Sequence, residues 1–335
     1  MRYLKAVLFL TILIFLLLFL RATDLQGVAS SLKQVGYGFA VLLITTMLAY
    51  FSGTVGWRYC MGSEGRQIAM WQLFIIRHVG ETVSLINPTS IVGGEALKVF
   101  LLKDKGIQRK TVITSVLVSR MLMVLTQLVL FFLAAGVVLF ESTATFSSGS
   151  SLSGVFLVLI VLGISALLLL FFLRKIRLRI KWGSAVKDRL TRAGVRIKEL
   201  WVEMIQFYRR NKSDLFLSAF FFVLHWILGS LEFYFILRFL GINTGVLQAL
   251  FIDMGVVFFK AAGAFIPGQI GVEEYGNKVM LASVGVQLAE IWIAASVLRR
   301  ARQLFWIAFG FVGYFWISRT KKNMLTESGY GDPVR

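Results

Sequence analysis

Several apolar runs near 20 residues in length are the feature that most constrains how this chain folds. A helix needs about 20 apolar residues to cross the hydrocarbon core of a bilayer, and it satisfies its own backbone hydrogen bonds there. None of the runs shows the apolar–polar alternation of a transmembrane β-barrel. We therefore predict an all-α polytopic membrane bundle, whose main crossings are 4–20, 36–57, 111–140, 155–173, 214–240 and 291–317.

Composition narrows the class of protein and of partner. Of the 335 residues, 57% are hydrophobic and 16% are charged, yet the net charge is +19. In a membrane protein such an excess reflects basic cytoplasmic loops and contact with anionic lipid headgroups, so we expect lipids as partners and no nucleic acid. One cysteine and two histidines leave little for a metal site, and no nucleotide-binding glycine motif occurs. We expect no metal and no cofactor.

The distribution of lysine and arginine sets the predicted orientation. Segment 174–212 carries thirteen basic residues, whereas the Ser/Thr-rich loop 141–154 has none. By the positive-inside rule, both termini are cytoplasmic and the chain is a multi-pass protein of the inner (cytoplasmic) membrane. Segment 174–212 serves either as a cytoplasmic anchor or as a sensor of anionic lipid. We predict one transmembrane domain over 1–320 and a disordered cytoplasmic tail over 321–335.

Two stretches near the middle and end of the chain resemble each other. An offset of 179 aligns Pro88–Arg120 with Pro267–Arg299 and gives eight identities in 33 ungapped positions. Roughly two or three identities are expected by chance for ordinary composition, although coincidence between two apolar, glycine-containing stretches stays open. Each stretch follows an apolar segment and opens with proline and glycine, which break a helix. Broken helices at membrane depth survive only where they are buried in protein or line a wet cavity.

The interpretation we favour is a pair of inverted repeats, each containing a broken re-entrant hairpin. The repeats are centred on 68–140 and 246–317. On the charge-derived topology the first hairpin opens from the cytoplasm and the second from outside, which is a recurrent architecture of transporters with a midplane site. An ordinary cytoplasmic loop at 68–100 is the alternative for the first hairpin.

Arg120 and Arg299 lie inside apolar helices and are matched by the repeat. An unpaired arginine at the bilayer centre costs roughly 3 kcal/mol, so each needs a partner, and Glu95 and Glu274 are the repeat-matched carboxylates. A lipid phosphate can displace such carboxylates, because guanidinium forms forked bonds to phosphate and broken helix ends offer free N–H groups. The alternative is that these ion pairs are permanent and only hold the hairpins. The candidate substrate-binding residues are Gly93, Gly94, Glu95, Lys98, Arg120, Lys260, Pro267, Gly268, Gly271, Glu273, Glu274 and Arg299. Glu81, Asp253 and Lys278 are further candidates.

Three stretches resemble a known family. GGEALKVFLLKDKGI with the following SVLVSR, the later IPGQIGVEEY, and HWILGSLEFYFILRFLG are similar to the flippase-like family of lysylphosphatidylglycerol synthase transmembrane regions. The resemblance implies movement of aminoacylated or other lipids between leaflets. It also implies that most of the candidates above match the functional elements of the family. About 18 residues follow the last predicted helix, so we expect no soluble synthase domain.

These observations favour a lipid flippase with a midplane site lined by Glu and Arg, and not an enzyme. The substrate would be a phospholipid or a polyprenyl- or hopanoid-type lipid. Two alternatives stay open. One is an intramembrane lipid phosphatase, for which Ser90 and the Glu273/Glu274 pair are the nearby candidates. The other is a non-transporting membrane partner of lipid-synthesis enzymes.

Overall fold

The computed structural model describes residues 35–86, 90–103, 106–146, 211–263, 266 and 269–327, together with Ser30 and Lys33. Several predicted segments lie outside the described residues: the apolar runs 4–20 and 155–173, most of the basic segment 174–212, Pro88, Pro267 and Gly268. In the described part the chain is helical and contains no strand, which confirms the all-α prediction. The helices are α1 Gly38–Cys60, α2 Gly62–Gly65, α3 Met70–Ile86, α4 Ser90–Leu102, α5 Arg109–Phe146, α6 Lys212–Phe239, α7 Val246–Ala262, α8 Val272–Ser283 and α9 Ala289–Glu327.

Three of the described helices are long and apolar enough to cross a membrane. They are α1, the Arg109–Phe140 part of α5, and α6. Helix α9 has 39 residues and exceeds the thickness of a bilayer, but its first half carries Arg299, Arg300 and Arg302. These three arginines must be satisfied by protein groups, and they are satisfied by ion pairs to neighbouring helices, as described below.

Helices α1 and α6 form an antiparallel pair at the centre of the bundle. The ring of Phe239 packs on Gly38, where a Cβ atom would lie 2.8 Å from the ring. Near the other end, the Ser218 hydroxyl donates to the Gly56 carbonyl oxygen at 2.8 Å. Small residues on α1 thus allow the two backbones to approach closely, which is how transmembrane helices gain packing energy in lipid.

Two units of the fold repeat the same order of helices. Helices α3, α4 and α5 have 17, 13 and 38 residues, and helices α7, α8 and α9 have 17, 12 and 39. A break separates the two short helices in each unit. The second break, between Ala262 and Val272, is longer than the first, between Ile86 and Ser90.

The two long helices run in opposite directions. The start of α5 lies beside the end of α1, because the Trp57 indole N–H donates to the Ser115 hydroxyl at 3.2 Å. The start of α9 packs in a cluster with Leu42 near the start of α1, and Ile317 near its other end packs against the cluster around Trp57. Helix α9 therefore runs parallel to α1, and α5 runs antiparallel to it.

The helix bounds agree with the predicted segments within a few residues, except at the chain end. Helix α9 continues to Glu327, so part of the segment 321–335, for which we predicted disorder, is helical. Extending an existing helix adds a hydrogen bond for each residue that is fixed, which favours continuation of α9. Residues 328–335 lie outside the described residues.

Candidate functional site

The first unit brings together two acidic and two basic side chains, which we call the Arg120 cluster: Glu81, Glu95, Lys98 and Arg120. Arg120 Nε donates to Glu95 Oε1 at 2.6 Å, and Arg120 Nη2 lies 3.3 Å from Glu81 Oε2. Lys98 Nζ donates to Glu81 at 2.8 Å and to Glu95 at 3.2 Å. Each cation therefore contacts both carboxylates, and three helices (α3, α4 and α5) are joined at one point.

Two glycines make this arrangement possible, because they let α3 and α4 cross closely. A Cβ atom on Gly80 would lie 2.6 Å from the aliphatic chain of Lys98, so the glycine provides the space in which that side chain lies. A Cβ atom on Gly94 would lie 2.0 Å from Ser84 Oγ and 2.2 Å from the Gly80 carbonyl oxygen. The backbones of α3 and α4 are thus in close contact where the two helices cross.

Substitution Gly94→Ala is expected to destabilise the protein by about 1–3 kcal/mol, because the new methyl group meets a backbone oxygen that cannot move away. Thermal unfolding in detergent measures the effect. Gly229→Ala on α6 is the matched control, since the nearest atom to its Cβ would be 4.0 Å away. If Gly94→Ala unfolds at the same temperature as the control, the close crossing is not required for the fold.

The second unit holds a larger group, which we call the Arg299 cluster: Glu232, Asp253, Lys260, Glu273, Glu274, Arg299, Arg300 and Arg302. Arg299 Nη1 donates to Asp253 Oδ1 at 3.0 Å, and Arg299 Nε donates to Glu273 Oε1 at 3.1 Å. Lys260 Nζ lies 3.3 Å from the other oxygen of Glu273. These contacts join α7, α8 and α9, and Arg302 adds α6 through its ion pair with Glu232 at 2.6 Å.

The carboxylate partner of Arg299 differs from the sequence prediction. We predicted Glu274, but the structure pairs Arg299 with Glu273, while Arg300 Nε donates to Glu274 Oε1 at 2.7 Å. Neighbouring side chains on a helix diverge by about 100°, so only one of the two glutamates faces Arg299. Glu274 instead accepts the N–H of Gly271 at 2.8 Å and caps α8, whose preceding residue Gly271 has a φ of +80°.

The two clusters differ in their exposure. The side chains of Arg120 and Glu81 are 34% and 33% exposed, whereas those of Arg299 and Glu232 are 5% and 3% exposed. The side chain of Arg120 is therefore partly accessible, as are those of Glu274 (30%) and Lys260 (21%) at the edge of the Arg299 cluster. The Arg299 guanidinium is enclosed by protein and also lies 4.3 Å from the ring centroid of Phe233.

Tyr50, at the middle of α1, contacts an arginine from each unit. Its backbone carbonyl oxygen accepts a hydrogen bond from Arg77 Nη1 at 2.9 Å, and its hydroxyl accepts one from Arg302 Nη1 at 3.1 Å. The rings of His78, His225 and Trp306 surround it. Each histidine donates to a backbone carbonyl oxygen, His78 to Trp306 and His225 to Ala49.

Most of the predicted site residues fall into one of the two clusters or next to them. Glu95, Lys98 and Arg120 meet in the first cluster, and Lys260, Glu273, Glu274 and Arg299 meet in the second. Gly93 and Gly94 lie on α4, and Gly271 precedes α8. Sequence reasoning did not include Arg77, Glu232, Arg300 and Arg302 among the site candidates. A charged residue within an apolar run is the signal that marks each of them.

The fold and its buried ion pairs define a polytopic helical membrane protein with two charged clusters between its helices. Comparison with family profiles assigns it more closely: the chain matches the family described as lysylphosphatidylglycerol synthase TM region over residues 4–310, and it belongs to that family. Comparisons with curated proteins and with solved structures found no match.

Proposed function

We propose that this chain moves a lipid with a phosphate-containing headgroup between the two leaflets of the membrane, and that the Arg120 cluster binds the headgroup on its way. We propose further that it acts as a carrier and not as an enzyme. Membership of a family whose description names a lipid supports a role in lipid handling. The residues of the cluster supply the chemistry that a phosphate requires.

The observation that carries the proposal is the partial exposure of the Arg120 and Glu81 side chains in the Arg120 cluster. Arg120 lies about 16 Å along α5 from its start at Arg109, well inside an apolar helix, yet a third of its side chain is exposed. A lipid-exposed guanidinium is costly, so this opening supports a cavity that admits a polar group. A headgroup phosphate entering there can accept the forked hydrogen bonds that Glu81 and Glu95 accept in the structure.

The neighbouring helix end favours the same ligand. Helix α4 begins at Ser90, about one and a half turns before Glu95, and its first N–H groups have no partner within the helix. Free N–H groups and the positive end of the helix dipole attract phosphate. The cluster and the helix end thus offer complementary groups to one anionic ligand.

The opposite directions of α5 and α9 support alternating access. We propose that the units α3–α5 and α7–α9 are inverted repeats whose broken helices are re-entrant, so that movement of one unit against the other exposes the site to each leaflet in turn. Six basic residues of the described part lie on or beside the helix ends that meet near Cys60: Arg58, Arg66, Lys103, Arg109, Lys110 and Lys212. We therefore place this end in the cytoplasm and the protein in the inner membrane.

Reconstitution of the wild-type protein into liposomes tests the proposal. Fluorescent phosphatidylglycerol, lysyl-phosphatidylglycerol and a polyprenyl phosphate would be compared with a fluorescent diacylglycerol bearing a neutral sugar. This sugar-bearing lipid has no phosphate, so it tests whether movement requires the phosphate. We expect at least one phosphate lipid to exchange between leaflets faster than in protein-free vesicles, with no acceleration of the neutral lipid.

Two results would contradict the proposal. Release of inorganic phosphate from the polyprenyl phosphate would indicate the phosphatase alternative. Absence of any lipid movement, in protein that unfolds cooperatively and is monodisperse, would favour a membrane partner of lipid-synthesis enzymes.

A further inference from the structure

Arg77 is a buried cation without a carboxylate partner in the part of the chain that the structure describes. It lies on α3 and is only 6% exposed. Its hydrogen bond is to the carbonyl oxygen of Tyr50 at 2.9 Å, and none of the ion pairs among the described residues includes it. A buried arginine at membrane depth is expensive unless its charge is compensated, so this one calls for an explanation.

The position of Arg77 is built into the packing of α1 and α3. A Cβ atom on Gly53 would lie 2.8 Å from both terminal nitrogens of Arg77, so the glycine provides the surface on which the guanidinium rests. Arg77 also lies four residues before Glu81, on the same face of α3. The charged groups that act on Arg77 are Glu81, Arg120 and Glu95, which are members of the Arg120 cluster.

Including Arg77 changes the charge balance of the first unit. Arg77, Lys98 and Arg120 are three cations, and they face two carboxylates, Glu81 and Glu95. In the Arg299 cluster the charges balance, because four cations face four carboxylates: Lys260, Arg299, Arg300 and Arg302 against Asp253, Glu273, Glu274 and the Glu232 that α6 contributes. The two clusters therefore differ in charge.

We propose that Arg77 supplies the one uncompensated charge of the first unit, and that this unit takes a ligand with a single negative charge at its phosphate, a phosphodiester. The second unit is a neutral ionic lock that holds α6–α9 together and binds no headgroup. This inference rests on the proposed function and deepens it, because it assigns the headgroup site to one of two related units and states the charge of the ligand.

The physical argument is one of compensation. A phosphodiester in the Arg120 cluster would neutralise the excess charge that Arg77 leaves there, and the attraction is stronger than in bulk water because Arg77 itself is buried. An uncharged headgroup offers no such gain. A ligand with two negative charges at its phosphate would leave an uncompensated negative charge in place of the positive one.

Equilibrium binding of dioctanoyl phosphatidylglycerol to the purified full-length chain in detergent tests this assignment, with dioctanoylglycerol as the uncharged probe. For Arg77→Gln we expect the Kd for the phosphatidylglycerol to rise about tenfold to a hundredfold, as for loss of a charge-assisted interaction. The double variant Arg77→Gln with Glu81→Gln restores one excess positive charge, and we expect its Kd to return to within about threefold of wild type.

A matched pair of glycine variants tests the position of the guanidinium separately from its charge. Gly53→Ala displaces Arg77 without removing it, so we expect weaker binding of the same probe. Gly229→Ala, on the facing helix α6, has open space around the new methyl group and is expected to bind as wild type does.

The assignment is overturned if Arg77→Gln binds the phosphatidylglycerol as tightly as wild type. It is also overturned if the double variant stays as weak as the single one, because the loss would then come from damaged packing. Binding and transport are measured separately, so the two proposals fail separately. Tight, Arg77-dependent binding without lipid movement would remove the proposed transport and keep the site. Lipid movement that is unaffected by Arg77→Gln would keep the proposed transport and remove the role of Arg77 in the site.

Discussion

Replacement of Arg299 by alanine is expected to destabilise the protein by about 3–5 kcal/mol, the largest effect on stability that the structure predicts for a single site. Arg299 donates to Asp253 and to Glu273, and its side chain is 5% exposed. Its removal leaves the buried Asp253 without a cationic partner among the described residues, and Glu273 with Lys260 alone. The cost of an uncompensated buried charge exceeds the net gain from forming the pair, so the loss is larger than the value of the two hydrogen bonds.

Reversible unfolding in mixed detergent micelles measures this effect. Arg238→Ala is the matched control, because Arg238 lies at the end of α6, is exposed and pairs only with Asn243 among the described residues. The double variant Arg299→Ala with Asp253→Asn removes one of the stranded charges and should recover part of the loss. A stability of Arg299→Ala within about 0.5 kcal/mol of the control would show that the Arg299 cluster is not an ionic lock.

Replacement of Arg120 by alanine is expected to have a small effect on stability, unlike the change at Arg299, and a large effect on lipid movement. Lys98 still contacts both Glu81 and Glu95 after the change, so neither carboxylate loses its only partner. The forked donor to the headgroup phosphate is lost, and we expect the rate of exchange between leaflets to fall about tenfold to a hundredfold. Lipid exchange and unfolding, measured on the same preparation, separate the two effects.

The opposite outcomes for two repeat-matched arginines could not be predicted from the sequence. The offset of 179 matched Arg120 with Arg299 and presented them as equivalent. Glu81 and Asp253 take similar places beside the two arginines, but Glu232 comes from α6 and has no acidic counterpart in the Arg120 cluster. Burial and partner number arise from tertiary packing, which a comparison of two stretches of sequence does not contain.

The order of the helices was accessible to sequence reasoning, for a simple physical reason. Apolar runs of membrane-spanning length predict the long helices, and proline predicts an interruption of the chain's helices near Pro88 and Pro267. Gly93 and Gly94, which we also expected to break a helix, lie within α4. The pairing of Glu95 with Arg120 was also predicted, since a buried arginine needs a carboxylate. The choice between Glu273 and Glu274 was missed, because it depends on the residue at which α8 begins.

Arg77 shows another limit of the sequence. Its charge within an apolar run was visible, but the absence of a carboxylate partner among the described residues was not. The position of its guanidinium depends on Gly53, which lies on α1 and leaves room for it. A sequence locates buried charges, and a structure is needed to determine which of them is compensated.

The most direct test of the central claim is the rate at which phosphatidylglycerol exchanges between leaflets in proteoliposomes containing wild type, Arg120→Ala, Arg120→Lys or Arg238→Ala. The account predicts exchange in wild type and in Arg238→Ala, loss in Arg120→Ala, and partial activity in Arg120→Lys, because lysine keeps the charge but not the forked donor. Equal exchange in wild type and Arg120→Ala, in protein of equal stability, would contradict the claim that the Arg120 cluster binds the headgroup.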